Sequence, residues 1–473
     1  MNRRRWSSLF ALVGGLAVSS VPLGARAQVL AHPPTVDTLP NGLRVVTLPF
    51  DAPGIVAYFT LVRTGSRDEV ERGHSGFAHL FEHMMFRGTQ RYSAQEYEHR
   101  MQVLGADNNA FTTEDFTLYT VTIPTASLAA LVPIEADRFR SLSYSEQAFQ
   151  TETRAVLGEY NKNAASPVHQ MWETLSEAAF TRHTYGHTTM GYLRDIAAMP
   201  SMYAYSQDFF RRFYTPDNCT VVVAGDVARD QVLALVTEHY GAWTGRRATP
   251  AVPPEPAQTA PRRRDLVWEG TSPPRVLIGY RVPAFALSNR DAVALDVVHA
   301  LAFSESSPLY QRMVVRESKL LALESWGDER HRDPGLFVVQ ADLAGATGFD
   351  EVERGVTETL AQLASSPVEA DRLAEMISHL RYAMPMEAQT PAAAATLLAR
   401  FMALTGEPDT YERYNQALAT VTAGDVQRVV RSYLSVPRRT LVTLTPASEA
   451  ARAPRGAVRV GPNRTAAPAR RTP

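Results

Sequence analysis

The feature that most limits what this chain can become is a proline- and arginine-rich stretch near its middle, RRATPAVPPEPAQTAPRRR, from Arg246 to Arg264. It has no hydrophobic period, and its prolines break helices and central strands alike. An exposed, semi-rigid linker over 246–264 is therefore expected. The segments it separates, 28–245 and 265–446, share a pattern. The first opens with strand-like LRVVTLPF and IVAYFTLVRTG, the second with DLVWEG and RVLIGYRVPA and then the helical DAVALDVVHALAF. Each closes on a helix that runs through a tyrosine and a proline into a β-branched strand: FFRRFYTPDNCTVVVAGD and VVRSYLSVPRRTLVTLTP. This is the signature of an internal duplication. Strands and helices come in blocks rather than in strict alternation, so the expected class is α+β, in two similar halves.

At 473 residues the chain is too long for one core and suits two domains. Its 45% apolar and 21% charged residues are those of a globular protein. A net charge of -1 provides no field for nucleic acid or an anionic membrane. Residues 1–27 read as an export signal: basic Asn2 to Arg5, apolar Trp6 to Leu23, and the cleavage pattern Ala25-Arg26-Ala27. Cleavage after Ala27 would leave a periplasmic or secreted protein with no stable membrane anchor. The arginines before Trp6 leave both general and twin-arginine export open. Residues 447–473 lack large apolar side chains and are expected to form a disordered tail. Cys219 is the sole cysteine, so no intramolecular disulfide or thiolate zinc cluster can form. In CTVVVAGDV it reads as a buried structural thiol. A metal site would have to use His, Asp and Glu.

One stretch supplies such residues: HSGFAHLFEHMMFRGT, His74 to Thr89. On a helix, positions i and i+4 share a face, so His79 and His83 aim both imidazoles at one point, as a zinc ion needs. Glu82 stands close enough to touch a water on the metal without being a ligand. Leu80, Phe81, Met84 and Met85 would cover the remaining sides. The order His-x-x-Glu-His inverts the His-Glu-x-x-His zincin motif. Two histidines leave a tetrahedral site half filled. The segment FQTETRAVLGEYNKNAASP has helical spacing and places Glu152 and Glu159 two turns apart on one face. Read alone, either glutamate is an ordinary solvated residue. NNAFTTEDFTLYTVTIP reads as two strands around a Glu114-Asp115 turn.

HSGFAHLFEHMMFRGT, with Glu159 following 76 residues after His83, resembles the pitrilysin family of zinc peptidases, which includes insulin-degrading enzyme and the mitochondrial processing peptidase. The similarity runs from PNGLRVV to RTLVTLTP and takes in NNAFTTEDFTLY and FYTPDNCTVVVAGDV. The resemblance implies one zinc per chain held by His79, His83 and Glu159, with Glu82 as general base and Glu152 orienting a ligand. It implies two α/β-sandwich halves forming a clam-like chamber, the first catalytic and the second holding substrate. A peptide would add as a strand beside Asn109, Ala110 and Phe111; without the family the segment is an ordinary hairpin. The family's substrate-holding arginine and, seven residues later, tyrosine fall on Arg316 and Leu323. The arginine is present and the tyrosine is not. Tyr310, or a homologous partner subunit lacking the zinc motif, would then complete the site, so a dimer is expected, as a homodimer or as a heterodimer with such a subunit. Arg316 also reads as a solvated helix charge. His74, His169, His183 and His187 read as structural or rim residues, and His299 as a core or rim residue. The function expected is that of an exported zinc metalloendopeptidase acting on peptides or small unfolded proteins. The alternative is a weak or inactive scaffold subunit that needs a partner.

Overall fold

Runs of β-branched and aromatic residues form twelve strands among the residues that the computed structural model describes, namely 30, 32–326, 330–345 and 347–461. The signal-like residues 1–27 lie outside them. The first half supplies β1 (Thr35–Thr38), β2 (Arg44–Pro49), β3 (Ile55–Val62), β4 (Asp107–Thr112), β5 (Thr117–Pro124) and β6 (Cys219–Gly225). The second supplies β7 (Arg262–Trp268), β8 (Arg275–Arg281), β9 (Leu320–Trp326), β10 (Leu336–Leu343), β11 (Arg439–Pro446) and β12 (Val458–Val460). They form two six-stranded sheets, ordered β1-β2-β6-β3-β5-β4 and β12-β7-β11-β8-β10-β9. The runs β2-β6-β3-β5-β4 and β7-β11-β8-β10-β9 have the same order. In each the first pair is parallel and every other pair antiparallel. The duplication expected from the sequence is therefore written into the topology.

Side-chain alternation gives each sheet two buried faces, and one cover of each comes from the other half. Along β3, Val56, Tyr58 and Val62 enter the core of the first half. Ala57, Phe59 and Leu61 point the other way, into a core shared with Ala394, Ala395 and Leu398 of the second-half helix Pro391–Thr405. The exchange is returned. Val276, Ile278 and Tyr280 of β8 face that shared core, while Leu277 meets Met171 and Leu175 of the first-half helix Pro167–Ala179. Gly279 lets this helix approach, because a Cβ there would stand 3.1 Å from a Leu175 methyl. Arg63 donates to the carbonyls of Ala403 (2.6 Å) and Leu404 (2.9 Å), and Arg44 to that of Gly406. Two cations of the first half thus sit where the second-half helix ends and its dipole favours positive charge.

Charge also crosses the boundary. Arg67 Nε donates to Asp333 at 2.5 Å, and His183 Nε2 lies 3.0 Å from the same carboxylate. Asp115 accepts from Tyr185 Oη (2.8 Å) and the Arg332 backbone N–H (3.1 Å), with His331 Nδ1 at 3.2 Å. Burial pushes the Asp333 carboxyl up, but His183 and Arg67 outweigh it and hold it at about 2.

Two expectations need correction. The 246–264 stretch is irregular and mostly exposed, as expected, only as far as Pro261, and it is tied down by side chains around it. Glu255 accepts backbone N–H groups from Thr181, Arg182 and His183, buried Gln258 donates to the Arg439 carbonyl, and β7 already begins at Arg262. Proline bars a segment from central strands but not from being strapped down by its neighbours' side chains. The expected tail is also ordered as far as it is described: Val458–Val460 pair in parallel with β7, and Val460 is buried. One apolar side chain suffices where the rest of the stabilisation comes from backbone pairing at a sheet edge. Among the described residues no helix is long and apolar enough to cross a membrane.

Leu175 belongs to the first half and its contacts to the second. Leu175→Ala should cost about 2–5 kcal/mol, read as a lower urea midpoint, with the halves still unfolding in one transition. Asp333 titrates lower in the folded protein than its ordinary 3.8. Its stabilisation is thus complete above that value and is lost as pH falls towards 2. Asp333→Asn should lower stability at pH 6 by on the order of 2 kcal/mol and flatten the decline between pH 4 and 2, measured by denaturant titration at stepped pH.

Candidate metal centre

The helix carrying the paired histidines, Phe77–Met84, is only eight residues long and is held in place from several sides. Phe77, Leu80, Phe81 and Met84 are fully buried and fix its rotation. Its first turn leaves backbone N–H groups that need acceptors. The buried carboxylate of Glu69 takes two of them, from Gly76 (2.8 Å) and Ala78 (2.7 Å). Burial pushes this carboxyl up to about 8 in spite of those bonds. Gly76 is left-handed at φ +92°, and a Cβ there would strike the Met190 carbonyl at 2.6 Å. Tyr119 Oη donates to the Phe81 carbonyl at 3.0 Å.

With the apolar face locked, His79 and His83 turn towards the helix Glu146–Ala164, which carries Glu152 and Glu159. Glu159 Oε2 lies 3.3 Å from His83 Nε2 and 3.7 Å from His79 Nε2. One donor atom from each of the three residues falls within 4.8 Å of the others. Ligand atoms about 2.0–2.1 Å from a tetrahedral ion stand roughly 3.3–3.4 Å apart, so the spacing fits a metal of that kind and leaves a fourth position open. Burial, with His83 beside it and Glu159 opposing, pulls His79 down to about 4, so its ring is neutral and keeps a lone pair for a cation. His83 is held above its ordinary value, chiefly by its hydrogen bond to Glu152.

The surrounding residues orient these groups. His83 Nδ1 donates to Glu152 Oε1 at 3.0 Å, which leaves Nε2 pointing at Glu159. Arg87 Nε meets the other oxygen of Glu152 at 2.5 Å. Glu152 is pushed up by burial, but His83 and Arg87 overcome this and keep it anionic. Glu82 takes no part in the three-residue cluster and accepts from Thr112 Oγ1 at 2.7 Å. Burial raises its carboxyl above the ordinary range, against the pull of that bond. Thr112 ends β4, which among the described residues pairs only with β5 and so has a free edge beside the centre. Asn109, Ala110 and Phe111 lie on this same strand.

Residues 53–192 match the model for "Insulinase (Peptidase family M16)" and residues 203–380 that for "Peptidase M16 inactive domain". An uncharacterized zinc protease of Mycobacterium leprae is 31% identical over 342 residues, covering 70% of this chain and 74% of that protein. The zinc protease PqqE of Helicobacter pylori is 26% identical over 450 residues, or 92% of this chain and 98% of the relative. The crystal structure of a protease from Helicobacter pylori superposes with a TM-score of 0.82 at 26% identity, covering 88% of this chain and all of that one. The chain belongs to the insulinase family of peptidases, family M16.

The remaining sequence candidates fall elsewhere. Arg316 ends a π-helical turn, Gln311–Arg316, and lines a cavity built wholly from second-half residues between Leu301 and Arg372. Tyr310 precedes that same turn. Leu323 is buried in β9 opposite Ala341, in a place suited to an aliphatic side chain. His183 bonds to Asp333 and His299 to Ser325, and His187 lies 3.9 Å from Glu69. His74 contacts the Arg72 carbonyl and His169 approaches Glu173. Cys219 is buried, as expected. Sequence reasoning missed Glu69, Thr112 and Arg87. Arg87 lies one turn beyond His83 and was open to the i, i+4 rule.

Glu69→Ala would strand two buried backbone donors. We expect a loss of about 1–3 kcal/mol per group, measured as a fall in the thermal midpoint of the metal-free protein.

Proposed function

We propose that the protein is a zinc metalloendopeptidase that cleaves peptides or small unfolded proteins. The observation that carries this reading is the convergence of His79, His83 and Glu159 within 4.8 Å, beside a Glu82 that is not a ligand. The donor set, two imidazoles and one carboxylate with an open position, is that of catalytic rather than structural zinc sites. The zinc proteases among its relatives support the choice of metal. Export after Ala27 is part of the proposal and rests on the sequence of residues 1–27 alone.

When bound, zinc would supply Lewis acidity to a carbonyl oxygen and lower the pKa of a water. The chain's own residues do the rest. Glu82, held by Thr112, accepts the proton of the attacking water and returns it to the leaving amine nitrogen. Its raised carboxyl pKa matches that two-way task. Glu152, anchored by Arg87, keeps the His83 ring oriented. The free edge of β4 offers backbone groups to an extended peptide, so the scissile bond lies along a strand and not in a loop.

A second reading, a scaffold subunit of low activity, draws on Leu323, which stands where the family has a tyrosine. A homologous partner supplying an arginine and a hydroxyl would reconcile the two readings. Metal analysis and peptide cleavage separate them. The protein should hold one zinc, lose hydrolysis on chelation and regain it when zinc is restored. Glu159→Gln should lose the metal. Glu82→Gln should keep it and lose hydrolysis by about 10²–10⁴-fold. Undiminished cleavage by Glu82→Gln would refute the mechanism, and a zinc-loaded protein inert to every peptide would favour the scaffold.

A further inference from the structure

Residues 331–333 of the second half, just before β10, grip two first-half turns that touch each other. One is the 3₁₀ turn Ser66–Asp68, and the other joins β4 to β5. Backbone N–H groups of Ser66 and Arg67 tie them together, donating to the Thr113 carbonyl (3.3 Å) and the Glu114 carbonyl (2.8 Å). Gly65 permits the contact, since a Cβ there would strike both of those carbonyl oxygens. Each turn adjoins a support of the metal centre. Glu69, which caps the His79 helix, follows Asp68, and Thr112, which holds Glu82, precedes Thr113.

Asp68 is where the second half reaches the first of these supports. Its carboxylate is buried and accepts the Gly65 backbone N–H at 3.2 Å, across its own turn. A buried carboxylate needs compensating charge. Two cations supply it: Arg67 Nη1 at 3.1 Å and Arg332 Nη1 at 3.6 Å, the second on a side chain only 11% exposed. Burial raises the Asp68 carboxyl, and Arg332 pulls it down more strongly than Arg67 does. Arg67 is moreover shared, because its Nε bonds Asp333. Both cations therefore depend on residues 332 and 333 of the second half. Arg332 is itself held by the β4–β5 turn, donating its backbone N–H to Asp115 at 3.1 Å, with Nη1 3.5 Å from the Asp115 carbonyl. Removing its guanidinium leaves a buried charge with one cation fewer. The turn that must then adjust ends at Glu69.

We infer that Arg332 is a positioning residue of the metal centre: through Asp68 it holds the turn from which Glu69 caps the helix of His79 and His83. The half without metal ligands thereby sets the geometry of the half that has them. The inference rests on the metal-centre reading for its effect on zinc, while the capping contact can be followed without metal.

Hydrogen exchange of the metal-free, full-length protein tests the link. The amides of Gly76 and Ala78, which donate to Glu69, are compared with those of β6 in the core of the same half. In Arg332→Gln their exchange should rise by about 10-fold or more relative to β6. Leu175→Ala, which loosens the boundary elsewhere, should leave that ratio at its wild-type value. Zinc affinity, measured by chelator competition, should fall about 10-fold in Arg332→Gln. Arg332→Lys should restore both to within about 2-fold, since a single contact at 3.6 Å asks for charge and not for a planar fork. Adding Arg332→Gln to Asp68→Asn should cost nothing further. The inference is overturned if Arg332→Gln leaves the ratio unchanged, if Leu175→Ala raises it equally, if zinc affinity holds while the ratio rises, or if the two substitutions add in full. A raised ratio in Arg332→Gln, with no zinc bound even by the wild type, would uphold the link from Arg332 to Glu69 and count against the metal-centre reading.

Discussion

The exchange of helices between the halves is the constraint on which the rest of the structure depends. A sheet with two apolar faces is stable only when both are covered. Here Pro391–Thr405 covers one face of the first sheet, and Pro167–Ala179 covers one face of the second. The metal-centre helix lies on the remaining face of the first sheet, in a core that includes Val56, Tyr58 and Val62. Its position is thus set by a sheet that the second half helps to bury. Arg63, Arg67 and Asp333 fix the same boundary with directional bonds where the apolar contacts alone would permit sliding.

The centre itself is built in layers of decreasing burial. Glu69 lies under the helix, out of reach of solvent, and pins its first turn. Glu152 lies behind His83, and its charge is balanced by Arg87. Glu159, the outermost member, has a side chain 39% exposed. Such an order suits an ion that arrives from solvent onto groups already oriented, so that little side-chain freedom remains to be lost when it is captured.

What the sequence revealed depended on how far apart the interacting positions lie. His79, Glu82 and His83 occupy one helical turn, and the period of the helix alone brings the two imidazoles together. The two halves were legible for the same reason, since each strand and helix has its own local period. Glu159 was visible as a face of a helix but could be assigned only through the family resemblance, because nothing local distinguishes it from a solvated glutamate. Glu69 was hidden in RDEVERG, an ordinary polar run whose burial follows from tertiary contacts. Composition reports missing apolar side chains but is blind to backbone pairing and to tethers such as Glu255 and Gln258, so it hid the end of the linker at β7 and the strand Val458–Val460.

The strapped proline-rich segment gives the molecule an unusual mechanical character. Backbone bonds from Arg247 to Asp217 and from Ala248 to the Arg212 carbonyl hold its start, and Glu255 and Gln258 hold its later part, yet covalent continuity through it contributes little to what keeps the halves together, since the interlocked helices already do so. A nick between Ala248 and Pro254 would leave two fragments still gripping each other. In that sense the polypeptide behaves as a heterodimer whose subunits happen to share one backbone.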